Sequence, residues 1–360
     1  FDFTSMYGSI IVTYNLSLST FQKEKTNATA VKLKDKKVYF SKKKGFFPEI
    51  LEEIIKFRKK FKAEYKKDPS PILKARSNAF KLIANAAYGY QGFFGARYYK
   101  EEAAASTAAL AKKSILDTIE KIKSYGYEVI YSDTDSIAFV QKKKSKSEIL
   151  DMLKEINKNL PGIMELELED FYKRGIWVTT RKGDFGAKKK YALISDKGKM
   201  KIRGFETVRR DWCKMARELQ NKVLEKILTD GNEKSALEYT KKIINQLKEG
   251  DISKDKLIIK TQLKRPLSEY KAVTPHVTIA RRMLADDLPV NQGMLIEYYI
   301  ADIPGKKLVR DKAVFPDEKK PYDLDYYLNR QLLSAVENIF QVFDIDMKEV
   351  ITGNKQKTLF

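Results

Sequence analysis

The chain has 360 residues, of which 43% are hydrophobic, and this length and composition are typical of a globular protein with two or three domains. Its 70 Lys and Arg outweigh 48 Asp and Glu, and a formal net charge of +22 favours a polyanionic partner such as nucleic acid, although Lys-rich surfaces also occur in heat-adapted proteins. One cysteine and one histidine exclude a disulfide framework and a zinc site built from Cys and His, and they indicate a reducing compartment, taken here as the cytoplasm. No apolar run approaches the roughly 20 residues of a membrane span, and no signal-peptide pattern opens the chain.

The first 89 residues predict a strand followed by a helical hairpin. Residues 1–11 read as a strand that continues into a turn at Gly8 and Ser9, and residues 20–44 as a short β excursion or a mobile loop. Apolar residues at helical spacing predict helices over residues 48–67 and 72–89, and the sequence DPSP separates them. Such a pair of helices forms an antiparallel hairpin.

The remaining residues predict further strands and then mainly helices. An Ala-rich helix over residues 101–125 leads into a β-hairpin with strands at 128–131 and 137–140. A helix at 150–160 and strands at 165–169, 177–180 and 188–194 follow. Helices are then predicted over residues 212–229, 233–249, 273–284 and 322–343. The β-rich first half with an inserted helical hairpin and the helical second half indicate an α+β fold with at least two domains.

Two aspartates at the tip of the predicted β-hairpin suggest metal binding. In YSDTDS, Asp133 and Asp135 are two residues apart between apolar strands, and Asp2 offers a third acid near the start of the chain. Mg²⁺ is held by a few carboxylates together with substrate phosphates, and two such ions can clamp a phosphoryl displacement. Taken alone, the pattern also fits a polar turn with a self-capping Asp.

The helical hairpin carries cationic side chains on one face of each helix. Arg58 and Lys62 are four residues apart on the first helix, and Lys81, Asn85 and Tyr88 follow spacings of four and three on the second. A face with cations and an aromatic at its base suits a triphosphate and a stacked base. The alternative is a solvated basic face, which is the commoner meaning of Lys on helices.

Five motifs in one order give the chain a resemblance that covers essentially its whole length. The first motif, DFTSMYGSII, resembles D-F-x-S-L-Y-P-S-I-I, and the second, KLIANAAYG, resembles K-x-x-x-N-S-x-Y-G. The third, YSDTDS, resembles Y-G-D-T-D-S. The last two, KKKYA and RGFETVRRDW, resemble K-K-x-Y and R-G-x-E-x-V-R-R-D-W. The chain therefore resembles the polymerase half of an archaeal replicative family B DNA polymerase. Met6, Gly8, Ala86 and Ser132 depart from the motifs, and none of these changes removes a charged group. Arg181–Ala187 reads as an insertion without an assigned role.

The resemblance implies a palm with an antiparallel sheet, fingers formed by an inserted helical hairpin, and a mainly helical thumb. The division that follows is palm over 1–45, fingers over 46–100, palm again over 101–187, and thumb with a C-terminal tail over 188–360. The implied activity is template-directed addition of deoxynucleoside triphosphates to a primer 3′-hydroxyl during DNA replication. The alternative is a non-catalytic nucleic-acid-binding subunit that keeps the polymerase fold, which loss of a metal carboxylate would have signalled.

The resemblance also implies roles at the catalytic centre. Asp2 and Asp135 would hold two Mg²⁺ ions, Asp133 would assist, and Lys81 would bind phosphate and protonate the departing pyrophosphate. Tyr7 would be the steric gate against ribonucleotides, and the residues that would surround the incoming nucleotide are Ser5, Met6, Tyr7, Arg58, Lys62, Lys81, Asn85 and Tyr88. Glu169 would be an accessory acid, although Glu165 and Glu167 share the face of its predicted strand.

Primer–template DNA and further proteins are the implied partners. The side chains that would contact DNA are Lys189, Lys190, Tyr191, Lys264 and Tyr270, mainly through phosphates. Because family members carry an N-terminal domain and a 3′–5′ exonuclease before the first motif, a second polypeptide that carries them is expected, as in a split polymerase. The alternative is that these domains were removed from a longer chain. Gln356 and Leu359 resemble the start of a sliding-clamp peptide, for which a basic tail is the alternative.

Overall fold

The structure, a computed structural model, describes residues 1–142, 144–180 and 183–352. The chain forms two compact units, a first unit of Phe1–Asp170 and a second unit of Phe171–Phe360. Both units combine helices with antiparallel sheets, which confirms the predicted α+β class. The division into palm, fingers and thumb stays a prediction.

A four-stranded antiparallel sheet is the centre of the first unit. Its order is β5 (Glu128–Asp133), β6 (Ser136–Val140), β1 (Asp2–Phe3) and β7 (Leu166–Glu167). Helices α4 (Glu101–Ser124) and α5 (Lys146–Asn159) belong to the same unit, and a capping box of Ser145 and Glu148 starts α5. The predicted hairpin that carries YSDTDS is therefore present, joined to the first strand of the chain.

The segment after β1 differs from the prediction. Instead of a strand that turns at Gly8 and Ser9, helix α1 covers Met6–Thr13. Its run of Ile10, Ile11 and Val12 is buried, so the helix is apolar almost all round and lacks the amphipathic period by which a surface helix is recognised. β-branched residues in a short apolar run favour a strand assignment, which burial overrode here.

The region over 20–44 forms a small antiparallel sheet, as one of the two predicted alternatives required. Its order is β2 (Phe21–Gln22), β4 (Lys37–Ser41) and β3 (Ala28–Lys32).

The predicted helical hairpin consists of α2 (Phe46–Lys67) and α3 (Pro71–Gln91). Ser70 caps α3, since its hydroxyl oxygen accepts the Leu73 N–H at 3.2 Å, and Pro71 occupies the first turn, where no backbone donor is needed. The helix ends at Gln91, with Gly92 as its C-cap, rather than at Gly89, which lies inside it. Buried Leu51 and Ile55 of α2 pack in one core cluster with Ala84 and Ala87 of α3, together with Ile11 and Val12.

The second unit contains two three-stranded sheets and most of the remaining helices. One sheet has the order β10 (Met200–Arg203), β9 (Gly183–Ser195) and β8 (Tyr172–Thr180); the other has β11 (Ile259–Gln262), β12 (Leu295–Ile300) and β13 (Ala313–Val314). The helices are α6 (Lys214–Asp230), α7 (Lys234–Glu249), α8 (Pro275–Ala285), α9 (Ser334–Phe340) and α10 (Met347–Thr352). The single helix predicted over 322–343 begins as a π-helix, Tyr326–Leu333, before α9.

Candidate active site and nucleic-acid interface

Asp2 and Asp135 lie on neighbouring backbone segments of the central sheet. The Phe3 N–H donates to the Asp135 carbonyl oxygen at 2.8 Å, and Asp2 is directly opposite Ser136 of β6. Ser136 is in turn opposite Asp133 of β5. Because residues opposite one another in an antiparallel sheet face the same side, Asp2 and Asp133 belong to one row on one face.

A tight turn presents the two aspartates of YSDTDS. Thr134 has a positive φ of 58°, and the Asp135 N–H donates to the Asp133 carbonyl oxygen at 2.7 Å. The Thr134 hydroxyl donates to the Asp133 carboxylate at 3.2 Å. Threonine seldom adopts a left-handed conformation, so the strain concentrates at the residue between the two acids. The hairpin tip predicted for these acids is therefore observed.

Glu167 completes the row of acids, and sequence reasoning did not single it out. Asp2 is opposite Glu167 of β7 on its other side, whereas the predicted accessory acid Glu169 lies beyond β7 and is exposed. The alternation of Glu165, Glu167 and Glu169 marks the acidic strand, but only the pairing with β1 identifies which glutamate is beside Asp2.

Cations of α2 contact the same part of the sheet. Lys62 Nζ lies 2.6 and 2.8 Å from the two carboxylate oxygens of Glu167, and Lys59 Nζ lies 2.6 Å from a carboxylate oxygen of Glu165. Arg58 donates to the Ser5 hydroxyl. Two of the predicted phosphate-binding cations, Arg58 and Lys62, are thus beside the acidic row.

Electrostatics agree with this arrangement. Burial opposes ionisation of Glu167, but its hydrogen bond to Lys62 and the charge of that lysine outweigh it, so the pKa of the carboxyl lies below its usual value. Burial lowers the pKa of Arg58, while the charges of Glu167 and Asp2 act in the opposite direction. Burial raises the pKa of Tyr7, and Tyr88, Asp135 and Asp133 raise it further.

Tyr7 and Tyr88 form one stacked pair at this site. Their ring centroids are 4.4 Å apart and the planes differ by 15°. Ser5, with φ of 48°, precedes Met6 at the start of α1, so the backbone N–H groups there belong to a helix N-terminus, which suits an anion. Lys81 and Asn85 are exposed on α3, upstream of Tyr88.

Mg²⁺ is the metal that the sequence predicts, and the donor set can be compared with its preferences. Within residues 1–142, 144–180 and 183–352, no group of three or more His, Cys, Asp and Glu side chains could hold a metal alone. Mg²⁺ usually needs only one or two carboxylates, because substrate phosphates and water supply the other ligands. Asp2 and Asp135 lie on hydrogen-bonded segments, and two carboxyl groups are a donor set that fits this requirement.

Three of the predicted DNA contacts lie on β9 in the second unit. Lys189 is exposed and has a positive φ of 61°. The Tyr191 ring stacks on Trp177, with centroids 6.1 Å apart. Lys190 differs from both, because its side chain is only 14% exposed and its Nζ lies 3.0 Å from a carboxylate oxygen of Glu206. An internal ion pair therefore occupies one of the lysines predicted to contact DNA.

Lys264 and Tyr270 line a cavity of about 520 Å³ in the second unit. The Tyr270 hydroxyl accepts the Lys264 N–H at 2.8 Å, and its ring meets His276 edge-on at 5.8 Å. Thr274 Oγ1 lies 3.0 Å from Nδ1 of His276, whose pKa is lowered by burial. Arg265, Lys271 and Glu269 also line the cavity, so basic side chains outnumber the acidic one in its lining.

Two predictions fall, wholly or in part, on residues outside the ranges that the structure describes. Gln356 and Leu359, the predicted clamp contacts, lie outside the described residues, and so does part of the Arg181–Ala187 segment. None of the helices in the described ranges combines the length and the apolar character that crossing a membrane requires.

Comparison with known proteins identifies relatives over most of the chain. Residues 1–343 match the model of DNA polymerase family B. The chain is 38% identical over 355 residues to the DNA polymerase of Pyrococcus glycovorans, with 95% of this chain and 44% of that protein covered. It is also 38% identical over 359 residues to the DNA polymerase of Thermococcus gorgonarius, with 95% and 45% covered.

A solved structure is similar as well. The family B DNA polymerase from Pyrobaculum calidifontis matches with a TM-score of 0.69 and 34% sequence identity, over 95% of this chain and 44% of that one. The chain thus spans less than half the length of the relatives that it matches.

Proposed function

The chain belongs to DNA polymerase family B, and from this premise we propose that it adds deoxynucleoside triphosphates to a primer 3′-hydroxyl under the direction of a template. The observation that carries the proposal is the hydrogen bond between the Phe3 and Asp135 backbones, which supports a metal site shared by Asp2 and Asp135 because it joins the two segments that carry them. The cations Arg58 and Lys62 lie beside the same acidic row. Acids for metal ions beside cations for phosphates are what phosphoryl transfer needs.

Asp2 and Asp135 would hold two Mg²⁺ ions in this proposal, with Asp133 in support. When bound, such ions neutralise the triphosphate and make the primer hydroxyl a better nucleophile. The protein's own contribution is to fix the two carboxylates through the sheet, so that little reorganisation accompanies the reaction.

The triphosphate is assigned to Arg58, Lys62, Lys81 and Asn85, and to the backbone amides of Ser5 and Met6. Lys62 is paired with Glu167 in this structure, so phosphate oxygens would replace one carboxylate partner with another anion of similar hydrogen-bonding capacity. Lys81 is exposed, and it would donate a proton to the departing pyrophosphate.

The sugar and the base are assigned to the tyrosine pair. The Tyr7 ring would exclude a ribonucleotide by contact with the 2′-hydroxyl, and Tyr88, stacked on it, would support the base pair. In the second unit Lys189, Tyr191, Lys264 and Tyr270 would contact the sugar–phosphate backbone of DNA, which positions the duplex without reading its sequence.

Replacement of one metal carboxylate tests the proposal. Asp135→Asn should abolish primer extension in Mg²⁺ and leave primer–template affinity within about twofold, because the carboxylate acts on the ions and not on the duplex. Asp151→Asn, an exposed aspartate of α5 paired with Lys154, is the matched control and should extend primers normally. Near-normal extension by Asp135→Asn would overturn the assignment.

The alternative, a non-catalytic nucleic-acid-binding subunit, predicts a different result from the same assay. The wild-type chain would bind primer–template DNA and add no nucleotide, even when a polypeptide with the other regions of its relatives is added. The second polypeptide with N-terminal and exonuclease domains, the clamp contact and a cytoplasmic location stay predictions. Purification from native cells, with mass spectrometry of the proteins that co-elute, tests the first two.

A further inference from the structure

The motifs KKKYA and RGFE lie side by side in the second unit. Arg203 of β10 is directly opposite Tyr191 of β9, so the residues around Lys190 face those that follow Arg203. Lys189 and Gly204 both have positive φ, 61° and 69°. A Cβ atom on Gly204 would lie 2.2 Å from the Lys189 carbonyl oxygen, a distance that no side chain tolerates. The two backbones therefore approach as closely as glycine permits.

An internal ion pair joins the same two motifs. Lys190 Nζ lies 3.0 and 3.2 Å from the carboxylate oxygens of Glu206, and 5.1 Å from the centroid of the buried Phe205 ring. The side chains of Lys190 and Glu206 are 14% and 10% exposed. Such a pair is well shielded from solvent, and either charge left alone in this place is unfavourable.

Glu206 is anchored further into the unit by Gln220 of α6. The Gln220 amide donates to Glu206 Oε2 at 2.7 Å and to the Ala335 carbonyl oxygen at 2.5 Å, and the residue is fully buried. Lys190 is thus connected through Glu206 and Gln220 to α6 and α9. These contacts hold the segment of β9 around Lys190 against α6 and α9.

Neighbouring side chains on β9 have a different environment. Lys188 and Lys189 are exposed, whereas Tyr191 is half-buried and stacked on Trp177. A phosphate contact by Lys190 would require it to leave Glu206, and the carboxylate would remain buried without its cation. The Lys189 side chain, by contrast, is exposed to solvent.

We propose that Lys190 is a positioning residue rather than a phosphate ligand: its ion pair with Glu206 fixes the left-handed backbone at Lys189, so that Lys189 and Tyr191 are presented to DNA. The inference rests on the DNA-binding function proposed above, and it separates Lys190 from Lys189 and Tyr191, with which the sequence analysis grouped it as a DNA contact. It gives the three residues of one motif different tasks.

Glu206→Gln separates the two roles. This variant keeps the Lys190 charge and releases it from its partner, so a direct phosphate contact predicts unchanged or tighter binding. A positioning role predicts roughly tenfold weaker primer–template binding at 0.1 M salt, and a slope of log affinity against log salt that is smaller by about one, as for one lost phosphate contact. Wild-type affinity in Glu206→Gln would overturn the inference.

A double-mutant cycle between Lys189 and Lys190, with the salt slope of DNA binding as the measured quantity, provides a second and independent test. If Lys190 acts through Lys189, then Lys189→Met, Lys190→Met and the double variant should each reduce the salt slope by about one. Two separate phosphate contacts would instead reduce it by about two in the double variant, and that result would also overturn the inference. Where Lys190→Met is unstable, the cycle is measured with Glu206→Gln added, which makes the buried pair neutral.

The controls distinguish this inference from the proposed function. Lys222→Met removes an exposed lysine of α6 that pairs with Glu225, and it should change neither the affinity nor the salt slope. Failure of the wild-type chain to bind primer–template DNA would contradict the proposed function. Binding by the wild type together with normal binding by Glu206→Gln would contradict only the positioning role.

Discussion

The rings of Tyr7 and Tyr88 stack with a centroid separation of 4.4 Å, although 81 positions separate the two residues in the chain. Tyr7 belongs to α1 and Tyr88 to α3, so the stack joins the segment that follows Asp2 to the helical hairpin. A stacked aromatic pair of this kind holds both rings in one orientation. Changes at Tyr7 should therefore act on sugar selection with little effect on phosphate binding.

Tyr7→Ala should admit ribonucleotides far more readily, because it removes the ring that would meet a 2′-hydroxyl. We expect the ratio of kcat/KM for a deoxynucleotide to that for the matching ribonucleotide to fall by about 100-fold. Tyr7→Phe keeps the ring and is the matched control, with a ratio close to that of the wild type. An unchanged ratio in Tyr7→Ala would show that another residue is the gate.

Glu167→Gln should strengthen nucleotide binding. Lys62 is paired with Glu167 at 2.6 Å, and the triphosphate must compete with this carboxylate for the lysine. The two side chains are 33% and 39% exposed, so the pair stabilises the nucleotide-free state by about 1 kcal/mol at most. The KM for a deoxynucleotide should fall by up to about fivefold.

Glu165→Gln is the control for that experiment, because Glu165 pairs with Lys59, which has no predicted role in nucleotide binding. Its KM should stay near the wild-type value. A higher KM in Glu167→Gln would mean that the glutamate supports the nucleotide site and does not compete with it.

The sequence predicts the parts of this site that depend on local patterns. Residue spacing indicates the face of α2 that carries Arg58 and Lys62, and the apolar runs beside Asp133 and Asp135 predict a hairpin with both acids at its tip. The helical face and the hairpin are both present in the structure, because the backbone sets the periods of helices and strands on which the two predictions depend. Helix α1 was predicted wrongly as a strand, since a short buried helix shows no period.

Contacts between distant segments are not accessible to the same reasoning. Lys62 and Glu167 are 105 residues apart, and Lys190 and Glu206 are 16 apart on different elements. Each lysine alone reads as a solvated or phosphate-binding side chain, and only the tertiary fold shows which carboxylate is its partner. Lys190 was accordingly predicted as a DNA contact, and its internal pair with Glu206 is the observation behind the positioning role proposed above.

A glutamate in the second unit should make stability depend on pH. Glu318 accepts from Arg282 and Lys320, each at 2.8 Å, and from the Phe315 N–H at 3.0 Å. Desolvation opposes ionisation, but these donors outweigh it and lower the pKa of the carboxyl to about 2. The stabilisation is present above the ordinary pKa of a glutamate, near 4.5, and is lost as the pH falls from there toward 2.

Glu318→Gln should therefore lower the free energy of unfolding by about 1 kcal/mol at pH 7 and by progressively less below pH 4.5. Urea unfolding at several pH values measures this difference. Glu225→Gln removes an exposed carboxylate that pairs with Lys222 and should have little effect at any pH. A Glu318→Gln effect that does not change between pH 7 and pH 3 would contradict the assigned contacts.

Two glycines near β10 provide a matched test of backbone packing. Gly204 and Gly198 have similar positive φ angles, 69° and 76°, so alanine is strained to a similar degree at both positions, by roughly 1–2 kcal/mol. Their surroundings differ, because an added Cβ would meet the Lys189 carbonyl oxygen at 2.2 Å at Gly204 and nothing within 4 Å at Gly198. Any additional destabilisation at Gly204 therefore reports the close approach of the two motifs.

Gly198→Ala should lower the free energy of unfolding by about 1 kcal/mol, and Gly204→Ala by about 3 kcal/mol or more, because the backbone at Lys189 must move. Denaturant midpoints at constant m-value measure both changes. Since Lys189 moves with its carbonyl group, Gly204→Ala should also weaken primer–template binding, whereas Gly198→Ala should not. Equal destabilisation by the two substitutions would mean that β9 and the segment after Arg203 are not in contact, and it would remove the geometric basis for the role assigned to Lys190.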